Sequence, residues 1–308
     1  MKARELINLV IETIKEWQED GAARLAAALS YYTTFSLAPL LVVVIAIAGM
    51  VGGRDAAQSV VMNQVEDLTG VEGREFVVSM IENASSSSAG VVASIIGTVT
   101  LLIAALGTFN ELQKALNWIW DVEPKPIEGW GNRVKDFIFK RLLSFSLLLG
   151  IGFLLLVALV VSAGLSAINE YLSTIPLLSN LVLQILNLLI SLGLITLLFA
   201  LIFKFIPDIE IGWRSVWLGA FITAVLFTVG KQLIGLYLGG SDIGNTFGAA
   251  GSLALIMIWV YYSSQILFLG AEFTQVFAKR YGKQPRPDEH AVEGRRKRQP
   301  SIEASTGT

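Results

Sequence analysis

Long apolar runs alternate with short polar ones along this chain. Leu25 to Gly53, Ala84 to Asn110, Leu142 to Asn169, Tyr171 to Phe203 and Ile243 to Ala271 contain no Asp, Glu, Lys or Arg. Ser215 to Gly240 would be a sixth such run, but Lys231 interrupts it. About 18 apolar residues suffice for a helix to cross a bilayer. The pattern therefore predicts an all-α, polytopic bundle of six transmembrane helices, with spans at about 25–51, 91–111, 138–168, 179–206, 214–238 and 248–276.

Between these runs the period changes. Leu6, Leu9, Val10, Thr13, Ile14 and Trp17 recur at helical spacing opposite Lys2, Glu5, Glu12, Lys15 and Glu16, which predicts an amphipathic helix over residues 1–20. Such a helix can lie in the interface with Trp17 as anchor, or pack on the ends of the other helices; Asp20-Gly21 ends it. Residues 54–90 form the long polar insert, with amphipathic stretches at Ala56–Leu68 and Arg74–Ile81. From residue 281 the chain is polar and basic and reads as a disordered tail over 281–308.

Charge then orients the bundle. With the N-terminus inside, 20 of the 23 Lys and Arg residues fall on the cytoplasmic side. Only Arg54 and Arg74 lie outside, in the 54–90 insert, and Lys231 is within a span. The positive-inside rule thus predicts both termini in the cytoplasm. A hydrophobic share of 54% and a mean hydropathy of +0.63 agree with the membrane class.

Cysteine is absent and the single histidine, His290, lies in the tail. Disulfides and thiolate metal sites are excluded, and no nucleophile–base pair is recognisable. We therefore expect no enzyme, no cofactor and no bound metal. Nucleic-acid binding is not expected either, because topology already explains the basic residues.

Polar groups inside the spans are the candidates for function, since they are costly in hydrocarbon. Tyr32, Ser36, Asn110, Lys231, Tyr262, Gln265 and Glu272 could line a polar cavity. The same residues could simply knit the helices together. Lys231 has the strongest signal, at roughly 2.5–3.5 kcal/mol for a lysine in a span, unless it snorkels to the outer interface. Helix rise puts Glu272 roughly 15–20 Å from its level, so the two should not pair. Arg24 or the Asn110–Lys114 turn is the expected partner of Glu272. Pro39 should kink the first span. Gly248 and Gly251 offer small surfaces where the first and sixth spans should pack.

Three blocks carry a resemblance. They are Arg24-Leu-Ala-Ala-Ala-Leu-Ser-Tyr-Tyr-Thr-Thr-Phe-Ser-Leu-Ala-Pro-Leu-Leu41, Ala115-Leu-Asn-Trp-Ile-Trp120, and Phe247-Gly-Ala-Ala-Gly-Ser-Leu253 with Trp259-Val-Tyr-Tyr-Ser-Ser-Gln265 and Gly270-Ala-Glu272. Over roughly residues 5–280 the chain resembles the YihY/BrkB family of bacterial inner-membrane proteins. Phe247 stands where that family often has Tyr. The family's former label, ribonuclease BN, is regarded as mistaken, and the lack of metal-ligating clusters here agrees. The resemblance implies a place in the bacterial inner membrane, a role in envelope integrity, and movement of a solute, ion or lipid. The partners implied are membrane lipids and such a substrate. The competing expectation is a non-transporting scaffold for envelope proteins.

Overall fold

The computed structural model describes residues 3–85, 107–125, 176–239, 249–289 and 291–294. Their helices are α1 (Ala3–Glu19), α2 (Ala22–Gly52), α3 (Arg54–Ser85), α4 (residues 107–119), α5 (Pro176–Phe205), α6 (Trp213–Gly239) and α7 (Ala249–Tyr281). Four short strands accompany them: β1 (Val122–Pro124), β2 (Ile209–Glu210), β3 (Arg286–Pro287) and β4 (Ala291–Glu293).

Among the described residues, three helices are long and apolar enough to cross a membrane, at Leu188–Phe205 of α5, Trp213–Ile234 of α6 and Leu253–Tyr281 of α7. Helix α2 runs for 31 residues without a charge between Arg24 and Arg54. It continues through Pro39 as one helix. The expected third span lies outside the described residues, as does the second except for residues 107–111.

Helix α7 is the organising element. It packs against α1, α2, α3 and α6, and α5 packs against α6. The contact of α2 with α7 matches the expected pairing of the first and sixth spans. Lipid offers no hydrophobic drive between helices, so close backbone approach must supply the attraction. The α6–α7 seam does this by reciprocal fit. The Thr274 side chain lies over Gly219, and the Thr223 side chain lies over Gly270. Each threonine also donates to a carbonyl of its own helix, Thr223 to Gly219 at 2.7 Å and Thr274 to Gly270 at 2.6 Å. Further along, Tyr262 covers Gly230.

A core of buried side chains fills the half of the bundle nearest α1, here called the proximal end. Leu116, Ile119, Trp120, Phe203, Val216, Phe268 and Ala271 belong to it. At the distal end, α3 folds over α2 and α7 through Val44, Ile45, Val61, Met62, Val77, Ile256 and Val260. The two amphipathic stretches expected in the polar insert form within α3, separated at Gly70, whose φ of 81° no ordinary L-residue adopts readily. Arg74 closes that bend with a 2.6 Å ion pair to Glu66.

Helix α1 buries a narrow stripe. Leu9 and Thr13 are buried, and Leu9 packs with Phe273, Val276 and Phe277 of α7. Ile7, Val10, Ile11 and Ile14 stay exposed. One helix therefore docks on the bundle and still presents an apolar face outward. Gly21, at φ 64°, turns the chain into α2.

The start of the expected disordered tail is ordered. β3 pairs antiparallel with β2, and β4 with β1. Gly294 donates to Asp121 O at 2.7 Å, Lys125 Nζ to Glu289 O at 2.7 Å, and Ala291 is buried. Composition suggested disorder, but these strands find partners in loops that lie far away in sequence. Residues 295–308 lie outside the described residues.

Candidate functional site

The proximal end holds a layer of buried polar side chains. One part of it is satisfied. Asp208 follows Pro207 in the turn after α5 and is buried. Gln113 Nε2 donates to Oδ1 at 3.0 Å, and Asn117 Nδ2 to Oδ2 at 2.8 Å. The Asp208 N–H returns a bond to Asn117 Oδ1 at 2.8 Å, and Asp208 O accepts from the Asp288 N–H at 3.2 Å. One residue thus binds α4, the α5–α6 turn and the tail together. Gln275 of α7 adds a bond from Nε2 to Ile119 O at the end of α4.

The other part is not satisfied. Glu272 is fully buried, and neither carboxylate oxygen meets a hydrogen-bond partner among the described residues. The carboxyl group of Asp20, just past the end of α1, lies beside it as a like charge. Glu16 adds a second negative charge from α1, and Lys279, one charge of opposite sign, lies nearby on α7. Asp20 itself is 3% exposed, and its carbonyl accepts from Trp118 Nε1 at 3.2 Å. Lys279 is drawn partly aside by Asp121, at 3.9 Å. Arg24, one of the expected partners of Glu272, is exposed instead. The turn at Gly21 directs its guanidinium back over the loop, 3.6 Å from where a Gly21 Cβ would stand.

The remaining sequence candidates are scattered. Gln265 sits two helical turns from Glu272 on α7, and its Oε1 is buried without a partner among the described residues. Tyr262 lies one turn further on, over Gly230. Lys231 follows Gly230 on α6 and is half-buried. It therefore sits about 15 Å along α7 from Glu272, and the two remain apart as expected. Ser36 is buried and hydrogen-bonds Thr108 of α4, so it forms part of the α2–α4 seam. Tyr32 is 46% exposed and packs edge-to-face on Tyr31, away from the buried polar layer. Asn110 is exposed, whereas its helical neighbour Asn117 is buried. Glu111 pairs with Lys114 at 3.6 Å, as the i, i+3 spacing suggests. Gly251 is buried in the first turn of α7; Gly248 lies outside the described residues. Pro39 is accommodated within α2.

Sequence reasoning missed Asp20, Asp208, Gln113 and Gln275. Asp20 and Asp208 both stand just past a helix end, where an acidic residue ordinarily marks no more than the break. A carboxylate directly beside an apolar run, next to Gly or Pro, was the available signal. Among the described residues no group of three or more His, Cys, Asp or Glu could hold a metal ion.

Long apolar helices, small-residue seams and a polar layer at one end define a helical membrane protein. The family described as Virulence factor BrkB matches residues 13–295, and the chain belongs to it. It is similar to a UPF0761 membrane protein of Mannheimia succiniciproducens, 26% identical over 277 residues, which cover 84% of this chain and 86% of the relative. A UPF0761 membrane protein of Tolumonas auensis is 28% identical over 81% of this chain and 78% of its own length. One from Rhodospirillum centenum is 27% identical over 84% of this chain and 54% of its own length. No solved structure matches.

Proposed function

We propose that this membrane protein moves a small solute, ion or lipid across the bacterial inner membrane and is not an enzyme. In this reading both termini are cytoplasmic and Glu272 takes part in the transport step. The observation that carries it is the Glu272–Asp20 pair. A fully buried carboxylate without a donor costs several kcal/mol. A protein that only held its helices together would gain from an apolar residue there. Two carboxylates buried side by side repel each other, so the pair is relieved by taking up a proton or a monovalent cation. Binding there joins α1 to α7, and release lets the two charges repel. That gives the proximal end two arrangements, as alternating access requires. The competing reading, a scaffold for envelope proteins, draws support from the fully satisfied Asp208 network, which ties elements without any mobile charge.

Solid-supported-membrane recording on proteoliposomes tests the proposal. A pH or sodium jump should give a transient current in the wild type that is lost in Glu272→Gln. The pH arm and the sodium arm distinguish proton from cation. No current in the wild type, or an equal current in the variant, refutes the carrier reading. For the orientation, a membrane-impermeant thiol reagent on intact cells should label Ser86→Cys and spare Arg295→Cys; the opposite pattern would reverse the topology.

A further inference from the structure

We propose that the cleft at the proximal foot of α5 and α6 binds the phosphate headgroup of an anionic phospholipid. This site is separate from Glu272 and does not depend on transport.

The cleft is open to solvent, has a volume of about 700 Å³ and is lined by Lys204, Glu210, Gly212, Lys283 and Arg286, among others. Three cations face one carboxylate. Among the described residues none of the three cations forms an ion pair. The fold gathers them from distant parts of the sequence. Lys204 is in the last turn of α5, and the pairing of β2 with β3 sets Arg286 directly opposite Glu210. Lys204 Nζ donates one N–H to Ile211 O at 2.8 Å, which leaves two for a ligand. A Cβ at Gly212 would meet nothing within 4 Å, so the wall there is open.

A second, independent feature says which phosphate fits. Phe205, Trp213 and Trp217 form a ladder beside the cleft, with ring centroids 6.1 and 6.5 Å apart, and each residue is nearly half exposed. Lys204 lies 5.7 Å from the Trp213 ring centroid, so the cations and the ladder share one level. These aromatics stand where the apolar segments of α5 and α6 end. Exposed tryptophans at such ends mark the headgroup level of a bilayer. A soluble phosphate would use the cations alone. A phospholipid uses both, with its phosphate on Lys204, Lys283 and Arg286 and its glycerol and upper acyl chain along the rings. Glu210 can accept a hydroxyl of a glycerol-type headgroup.

The test uses the full chain in dodecylmaltoside and reads tryptophan quenching by phosphatidylglycerol with brominated acyl chains. Brominated phosphatidylcholine is the neutral reference. The wild type should prefer the anionic lipid. Each cation would give the phosphate a charge-assisted hydrogen bond, so Lys283→Gln with Arg286→Gln should cut the preference by about tenfold or more. Lys283→Arg with Arg286→Lys should keep it, as should Lys114→Gln, which removes an exposed charge elsewhere. Glycerol phosphate at millimolar concentration should not displace the lipid. A preference unchanged in the Gln pair, an equal loss in Lys114→Gln, or full displacement by glycerol phosphate would each overturn the assignment.

Discussion

Gly270 can be used to measure how tightly the bundle is closed. In Gly270→Ala the new methyl would lie 2.8 Å from both Cβ and Cγ2 of Thr223, and against its Oγ1 as well. Ordinary carbon contacts are about 3.5–4.0 Å. Thr223 cannot turn away cheaply, because it is fully buried and its hydroxyl bonds Gly219 O at 2.7 Å. Nor can the helices part at this point alone, because Thr274 interlocks with Gly219 one turn away. The seam must open by about 1 Å, or the threonine must change rotamer. Overpacking of this kind costs about 1–3 kcal/mol, and losing the hydrogen bond about 1 kcal/mol more. Alanine returns about 0.5–1 kcal/mol through its better helix propensity. A net loss of about 2 kcal/mol follows from these terms. Gly193→Ala on α5 is the control: its methyl would meet nothing within 4 Å, so only the propensity gain applies. Reversible unfolding in mixed micelles, followed by circular dichroism, reads the difference. Thr223→Ala in the Gly270→Ala background removes Oγ1 and Cγ2 and should recover about half the loss. If Gly270→Ala is as stable as Gly193→Ala, or if Thr223→Ala gives no recovery, the interlocked seam is wrong.

Other substitutions probe the proximal end. Asp208→Ala strands the amides of Gln113 and Asn117 and should cost about 2–4 kcal/mol in the same unfolding assay, whereas Asp208→Asn should cost less. Glu272→Gln gives Asp20 a donor in place of a second carboxyl. It should hold or raise the melting temperature while abolishing the ion-jump current; Glu272→Leu should melt lower than Gln, because Asp20 then faces a side chain that cannot bond it. A melting temperature for Gln below that for Leu would contradict the buried pair. Gly294→Ala places a methyl 2.9 Å from Asp121 O and should loosen the β1–β4 pairing, seen as faster amide exchange at residues 291–293 with the helices unchanged.

The local pattern of the sequence determined the elements. The charge-free runs are the reason α2, α5, α6 and α7 are long helices, because apolarity over such a length is a local property of the sequence. The breaks at Asp20-Gly21 and near Gly70 were equally local, since backbone freedom belongs to the residue itself. The apolar stripe of α1 was legible too, but sequence periodicity could not say which part of it would be covered. That depended on where Phe273, Val276 and Phe277 came to lie.

Tertiary structure alone decided the polar sites. Tyr32 and Ser36 are four residues apart on one helix, yet one faces outward and the other meets Thr108. Asn110 and Asn117 diverge in the same way. Asp20 and Asp208 lie at helix ends, where an acidic residue is ordinarily solvated. Here α7 covers the first and α4 holds the second. The basic cleft joins residue 204 to residues 283 and 286 through a strand pairing of two residues on each side. Such sites depend on which distant chain segment covers a polar group and whether it brings a donor, a condition the one-dimensional pattern does not contain.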